Sequence, residues 1–381
     1  MIWPISSIVW CTLATGIFLL LKRRYAAIKD LEAPTDPLDP APTLAVIIPA
    51  RDEAENIADC LEGLIQQTYP ATKLQAIVVD DGSSDDTAAI ARTFIQGFNS
   101  LKLIEAGPLP HGWLGKPHAC WVGAAAVQAE WLCFIDADTR HAPELLHAAM
   151  TTAQQENADL LSLHPHQDML GIWERLLMPI PFMTLMLLMD AQRINDPASP
   201  AAMANGQFIL IKRSVYDAID GHRAIRDQVM DDIALARTVK TAGHTLKLFG
   251  GGRLIRTRMY KDIRSLAQGL ARGASDIFGI PLASLAVPSS ILAGFIPIAF
   301  PVWLCQLASQ AGSARLAASA GLAVLGSLIW YGAHAMALRA YNVPLRYLLL
   351  VPLSNLLVAV VNLDGLLRRA KGQRLWKGRP I

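Results

Sequence analysis

Leu74-Gln-Ala-Ile-Val-Val-Asp-Asp-Gly82 and Trp131-Leu-Cys-Phe-Ile-Asp-Ala-Asp138 share one design: an apolar run that stops abruptly at carboxylates. A short apolar run with no polar alternation suits a strand buried on both faces, the habit of parallel sheets. Leu44-Ala-Val-Ile-Ile-Pro49 is a third such run, and Leu101–Glu105 a weaker fourth. Helical patterns lie between them: Glu55–Gln67, a stretch from Asp85 with Asp86 and Thr87 in its first turn, and the Ala-rich 119–129. Strand–helix alternation at this spacing predicts a doubly wound α/β domain. Ligands of such sheets bind beyond the carboxyl ends of the strands. Asp80, Asp81, Asp136 and Asp138 all fall there.

Outward from this core the composition changes. Hydrophobic residues make up 52% of the 381 and charged residues 17%, too apolar for a simple soluble enzyme. The excess sits at the two ends. Ile2–Leu21 is an apolar run without charge, long enough to cross a bilayer, and Lys22, Arg23 and Arg24 follow it at once. A signal peptide carries its charge ahead of the apolar stretch, so the run reads as an uncleaved anchor over 1–24 with the later chain in the cytoplasm. Residues 25–42, with Pro34, Pro37, Pro40 and Pro42, read as a stiff linker. The α/β domain is expected over 43–280, transmembrane helices over 281–366 and a basic tail over 367–381. Apolar runs at 284–307, 314–338 and 345–363 are each long enough to cross. The first holds Pro288, Pro297 and Pro301. Arg368, Arg369, Lys371, Arg374, Lys377 and Arg379 favour a cytoplasmic tail, which three C-terminal crossings would forbid. The expectation is therefore a re-entrant hairpin at 284–307. A net charge of +2 gives no argument for nucleic acid, and five cysteines without paired spacing give none for disulfides or zinc.

The chemistry-bearing residues cluster at the predicted strand ends. Asp136 and Asp138, one residue apart, can share a hard divalent ion, Mg²⁺ or Mn²⁺, that keeps sites open for substrate phosphates; the bland reading is a helix N-cap. Asp81 can accept hydrogen bonds from a base or ribose, or simply lie in a turn at Gly82. Pro49, Arg51 and Glu53 could frame a nucleotide. His111–His118, with two glycines and a proline, reads as an irregular loop where Lys116 could meet a phosphate. Asp231-Asp232 opens an amphipathic helix, Ile233–Ala242. Two carboxylates exceed what a helix dipole needs, and one could be a general base tuned by the other. Asn205-Gly206-Gln207 precedes the strand Phe208–Lys212, where a glycine leaves room for an acceptor. Met169–Met189 suits an interfacial segment or a buried core helix, and Arg253, Arg256, Arg258, Lys261 and Arg264 form a basic run for anionic headgroups.

The order Val46-Ile-Ile-Pro-Ala-Arg-Asp-Glu53, Val78-Val-Asp-Asp-Gly-Ser-Ser-Asp-Asp-Thr87, Phe134-Ile-Asp-Ala-Asp138, then Asp231-Asp232 with Arg237, resembles family 2 glycosyltransferases of GT-A fold over roughly 43–275. Gly112-Trp-Leu-Gly-Lys-Pro-His118 and the closing Trp376-Lys-Gly-Arg379 are similar to hopanoid-associated and carotenoid-type lipid glycosyltransferases. The resemblance implies a Rossmann-like nucleotide-sugar domain between an N-terminal transmembrane anchor and C-terminal transmembrane helices. It implies a multi-pass protein of the inner (cytoplasmic) membrane with its catalytic domain in the cytoplasm. The donor would be a nucleotide sugar, by family default a UDP-sugar, and the acceptor a lipid of hopanoid, carotenoid, sphingoid or polyprenyl type. Pro49, Arg51 and Glu53 would frame the nucleotide and Asp81 contact its base. Asp136 and Asp138 would hold nucleotide and metal, with Asp138 the nearer ligand. Asp232 would be the base of an inverting transfer, and Asp231 takes the family's usual Glu position. Processive members carry Gln-x-x-Arg-Trp after the base. Here Gln268-Gly-Leu-Ala-Arg272-Gly273 is off by one and lacks the Trp, which argues against a polysaccharide synthase and leaves Arg272 a diphosphate contact only by analogy. A non-enzymatic membrane scaffold predicts lost carboxylates, and all four are present.

Overall fold

The computed structural model describes residues 2–34, 38–95, 100–371, 375–376 and 379–380, with side chains at 3–34, 38–95, 100–271 and 284–371. The chain divides into two compact units. One comprises Ile28–Asp168, Ala191–Met259 and Leu375–Ile381; the other Met1–Ala27, Met169–Asp190 and Tyr260–Arg374.

The first unit is built on strands β1 (Leu44–Ala50), β2 (Leu74–Asp80), β3 (Leu101–Glu105), β4 (Trp131–Ile135), β5 (Thr139–His141), β6 (Leu160–His164), β7 (His166–Gln167), β8 (Phe208–Lys212), β9 (Leu246–Gly250) and β10 (Ile255–Thr257). Seven form one sheet in the order β3-β2-β1-β4-β8-β6-β9. β1 pairs in parallel with β2 and β4, while β8 runs antiparallel between β4 and β6. The sheet is thus mixed α/β rather than purely parallel. Reversal of β8 has a direct consequence: Phe208 pairs with Ile135, so the segment entering β8 lies beside the segment leaving β4. β1 and β4 are buried along almost their whole length, as their apolar runs require. The helix Gly115–Ala125 lies on β1 and β2 through Gly123, where a Cβ would stand 2.5 Å from Ile47 Cγ2. β5, β10 and β7 form a small second sheet. Part of the Pro-rich linker is pinned rather than loose: Leu31 N–H donates to Gly250 O at 2.8 Å, extending β9 at its end.

The second unit is helical. Ile2–Ala27, Ile263–Ala311, Ala314–Ala340 and Val351–Ala370 are its long members. Four helical stretches, Trp3–Ala27, Ser284–Ala311, Ala314–Ala340 and Leu345–Ala370, are long and apolar enough to cross a membrane. Trp3 packs edge-on against Trp303 at 4.5 Å between ring centroids, and Trp10 lies 5.8 Å from Trp330. The hairpin expected at 284–307 is not formed, for Ile263–Ala311 is one helix through Pro288, Pro297 and Pro301. Proline removes one N–H and crowds the preceding turn, which favours a kink, but it does not reverse the chain. Membrane helices tolerate it where neighbours re-satisfy the freed carbonyl. Met169–Met189 forms two short helices, Ile172–Leu177 and Pro179–Leu188. Its charges are satisfied locally: Glu174 accepts from Gly171 N–H, and Arg175 Nε donates to Met169 O at 3.0 Å. Leu170, Ile172, Trp173 and Leu188 remain exposed.

Candidate active site

The turns after β1 and β2 are laced together. Gly82 adopts φ +70°, a left-handed turn that suits glycine. Asp52, also left-handed at φ +51°, donates its N–H to Ser83 Oγ at 3.1 Å and accepts from Ser84 N–H at 2.7 Å. Glu53 N–H donates to Thr87 Oγ1 at 2.7 Å, and its carboxylate accepts from Asn56 Nδ2 at 2.8 Å. Arg51 Nη1 donates to Asp81 O at 3.0 Å and lies 3.8 Å from the Asp81 carboxylate. Asp81 is buried, and its N–H donates to Ala50 O at 2.8 Å. Ser83 Oγ donates to Asp80 Oδ1 at 2.5 Å, which gives Asp80 a role in shaping the turn. Pro49, Arg51, Glu53 and Asp81 therefore belong to one fixed rim at the carboxyl edge of the sheet.

Lys116 stands at the centre of a second cluster. The expected loop over His111–His118 ends early, because the helix starts at Gly115 and Lys116 lies in its first turn. Pro117 fits there, since a first-turn residue has no helical acceptor for its N–H. Leu114 N–H donates to Arg226 O at 2.8 Å and holds the helix start in place. Lys116 Nζ meets Asp136 Oδ1 at 2.6 Å. A Cβ on Gly206 would lie 2.8 Å from that Nζ and 3.5 Å from Asp232 Oδ2, so the glycine leaves the ammonium room in this position. Gly206 N–H in turn donates to Asp232 Oδ2 at 2.9 Å, and Ile233 N–H to Asp232 Oδ1 at 2.8 Å. Asp231 and Asp232 open the helix Asp231–Thr241 as expected.

The electrostatics follow from this packing. Burial opposes the charge on Lys116, yet Asp136 and Asp231 hold the ammonium well above the usual lysine range. Asp232 is raised to about 6, chiefly by burial and then by Asp231, with Lys116 and the two N–H groups pulling the other way. His222 lies beneath the cluster, its Nδ1 3.0 Å from Tyr216 Oη and its ring against Phe134. Burial and the Lys116 charge lower it to about 3, so it is a neutral packing residue.

Asp138 is reached by a buried polar relay that sequence reading missed. Thr257 Oγ1 donates to Asp138 O at 3.2 Å and accepts from Gln207 Nε2 at 3.3 Å; Gln207 Oε1 accepts from Gln167 Nε2 at 3.1 Å. Thr257, Gln167 and Gln207 are all buried. The relay ties β7, β10 and the Asn205–Gln207 turn to the Asp136–Asp138 turn. No motif links residues so far apart in sequence. The N-cap reading of Asp136-Ala-Asp138 fails, for the segment leads into β5 and the next helix starts at Leu145. Arg237, which the resemblance sets near the acidic pair, is exposed and lines a separate concavity with Ala218, Ile219, Thr238, Thr241 and Ala242. The Arg272 side chain lies outside the described residues.

Residues 45–220 match the sequence profile described as glycosyl transferase family 2. The chain carries a family 2 glycosyltransferase domain. Among this glycosyltransferase's curated relatives, the 4,4'-diaponeurosporenoate glycosyltransferase of Staphylococcus haemolyticus (strain JCSC1435) is 26% identical over 268 residues, covering 68% of each chain. The protein of the same name from Staphylococcus aureus (strain MRSA252) is 26% identical over 279 residues, 71% of this chain and 69% of the relative. Among solved structures, the mannosyltransferase PcManGT from Pyrobaculum calidifontis, in complex with GDP-Man and Mn²⁺, superposes with a TM-score of 0.52 at 18% identity. That likeness covers 97% of this chain and 99% of the neighbour, and it bears out the GT-A-like architecture.

Whether a divalent ion suits this glycosyltransferase depends on its donor set. Among the described residues no group of three or more His, Cys, Asp or Glu side chains could hold a metal. Asp136 and Asp138 supply two carboxylates, and Asp136 already shares its charge with Lys116. Two hard oxygen donors fit an ion whose shell is completed by water and substrate phosphates, the usual arrangement for Mg²⁺.

Proposed function

We propose that the protein moves a sugar from a nucleotide-sugar donor to a membrane lipid, inverting the anomeric centre in one displacement. The observation that carries this reading is Asp232, half-buried, hydrogen-bonded to Gly206 N–H and close to the Lys116–Asp136 pair. The rim of Pro49, Arg51, Glu53 and Asp81 receives the nucleotide. Asp138, with Asp136, would hold the divalent ion, which would supply Lewis-acid neutralisation of the diphosphate. The acceptor oxygen attacks the anomeric carbon as the bond to the diphosphate oxygen breaks. The diphosphate leaves with both electrons, Lys116 faces its charge, and Asp232 takes the acceptor proton.

The names of the curated relatives favour a carotenoid-type lipid over the other acceptor classes. The neighbour's GDP-Man keeps the choice between UDP and GDP donors one for experiment. The positive charges after Ile2–Leu21 favour a cytoplasmic catalytic unit in the inner membrane, where nucleotide sugars are made. The test is lipid mass spectrometry of cells with and without the gene product, paired with purified protein, labelled UDP- and GDP-sugars and the lipid extract. A hexose-shifted lipid that appears only with intact Asp232 supports the reading. A water-soluble product with no lipid glycoside overturns it.

A further inference from the structure

Strand β6 reads Leu160-Leu-Ser-Leu-His164, with one hydroxyl inside an apolar run. Ser162 is fully buried, while Leu161 and Leu163 turn to the opposite face and join the main core. A hydroxyl taken out of water costs stability unless it is hydrogen-bonded. Ser162 finds its partners at the end of a ladder. The pairing of β6 with β8 stops at Ser162 and Ile209, and the side chain carries on where the backbone bonds cease. Ser162 Oγ accepts from Asn205 N–H at 2.8 Å and donates to Phe208 O at 3.0 Å, with Asn205 O the next acceptor at 3.3 Å. One buried hydroxyl thus bridges both ends of the turn Asn205–Phe208.

The turn is also closed from within. Phe208 N–H donates to Asn205 O at 3.0 Å, the bond of a β-turn. Asn205 Oδ1 accepts from Gln207 N–H at 2.9 Å, the local side-chain bond that favours asparagine in turns. The other end of that amide, Nδ2, faces His164 Nδ1 at 3.4 Å. Of the four backbone N–H groups, those of residues 205, 207 and 208 are taken up inside this frame. The Gly206 N–H leaves it and donates to Asp232 Oδ2 at 2.9 Å.

Asp232 therefore carries one backbone donor on each oxygen, Gly206 N–H on Oδ2 and Ile233 N–H on Oδ1. Ile233 belongs to the same helix and moves with Asp232. Gly206 belongs to a different segment, so its N–H fixes the carboxylate's rotation relative to the sheet. Each carboxylate oxygen has two lone-pair directions, and occupying one defines where the other points. The charged groups facing Asp232 are Asp231 on its own helix and Lys116 from the helix Gly115–Ala125, which Asp136 holds in turn. Charges act over distance from any angle, whereas an N–H bond is directional.

We propose that Ser162 and Asn205 are positioning residues for the base: they lock the Asn205–Phe208 turn and so aim Gly206 N–H at Asp232. The proposal rests on Asp232 being the base of the transfer. Neither residue has to touch either substrate. Their work is to hold the Asp232 carboxylate in the one rotation from which it can take the acceptor proton.

The test uses the full chain in nanodiscs, with labelled UDP- and GDP-sugars and the lipid extract. Ser162→Ala and Asn205→Ala each remove one tie. Ser162→Thr and Asn205→Ser each keep an oxygen at the same place. Either alanine variant should lower turnover by about 10- to 10²-fold, the scale of a small misplacement of a reacting group, with nucleotide-sugar KM unchanged. The acid limb of kcat/KM should move to higher pH, because Asp232 loses a donor that favours its charged form. The oxygen-keeping variants should recover turnover and return the limb. If Ser162→Ala does not fold, Asn205→Ala carries the same test, since Asn205 is only half-buried. Variants that lose thermal stability but keep turnover and limb would make both residues purely structural and overturn the proposal. A nucleotide KM that rises as turnover falls would place the turn in donor binding and overturn it too. A second readout needs no sugar transfer. In protein made with ¹³C-labelled aspartate, the infrared band lost in Asp232→Asn reports the titration of that carboxyl. Its midpoint should rise in both alanine variants and return in the conservative ones. An unchanged midpoint overturns the tie whether or not the chain transfers sugar. A shifted midpoint in a chain that transfers none would uphold the tie and sink the reaction instead.

Discussion

Asp232 is held above the usual carboxylate range by burial and by Asp231, and it is drawn back by Lys116 and by Gly206 N–H. A base works only when deprotonated, so kcat/KM should fall as pH drops through about 6. Asp231→Asn removes a negative neighbour and should move that acid limb to lower pH. Lys116→Met removes the cation and should move it to higher pH. A limb that stays put in both variants would mean another group titrates. Asp232→Asn should lower turnover by about 10²- to 10⁴-fold with little change in nucleotide affinity. If Asp231→Asn does the greater damage at its optimal pH, the wrong carboxylate of the pair has been assigned. Asp138→Asn should raise the Mn²⁺ or Mg²⁺ concentration needed for half-maximal rate, and excess chelator should silence the parent enzyme; activity undiminished in chelator rejects the metal. Gly206→Ala should cost little stability, because the new methyl meets only the mobile end of Lys116, but it should lower turnover by pushing that ammonium from its place beside Asp136.

At the scale of elements, some residues declared themselves in the sequence and others could not. Asp81, Asp136 and Asp138 were legible because each ends an apolar run, and a buried strand that stops at a carboxylate has little other use for it. Asp231-Asp232 was legible as a helix start. Gly206 was visible only as a gap, since its partner Lys116 lies far away in sequence and meets it only because β8 runs against β4. The Gln167–Gln207–Thr257 relay was invisible for the same reason: pairings between distant strands leave no local period. The error at 284–307 came from reading proline as a reversal, when an apolar helix absorbs it. The relay makes its own prediction. Thr257→Val keeps the shape but strips the hydroxyl from Asp138 O and strands Gln207 Nε2, a buried donor whose loss of partner costs about 1–3 kcal/mol. Turnover should fall and the metal requirement rise, with donor KM moving less, and Thr257→Ser should restore both. A variant that loses only thermal stability would make the relay purely structural.

At the scale of the whole molecule, one chain joins a glycosyltransferase-type sheet to four helical stretches long and apolar enough to cross a membrane. The helical unit exposes Ile5, Ile8, Val9 and Leu13 on its first helix and Leu285, Leu292 and Phe295 on its second, a surface that water would not tolerate. Leu170, Ile172, Trp173 and Leu188 add exposed apolar side chains in a segment too short to cross, the habit of an element lying at the interface. If the acceptor arrives through that layer, its effective concentration is a two-dimensional one. The donor still arrives from bulk water. The two substrates should then respond differently to dilution. In nanodiscs or mixed micelles at constant bulk acceptor, adding inert phospholipid should lower the rate in proportion to the acceptor's surface mole fraction. The nucleotide-sugar KM should not change over the same series. A short-chain, freely soluble acceptor analogue should be a poor substrate, because it lacks the apolar length that holds it at the interface. Equal turnover of that analogue, insensitive to added lipid, would mean that the acceptor reaches Asp232 from water and that the helical unit serves only as an anchor.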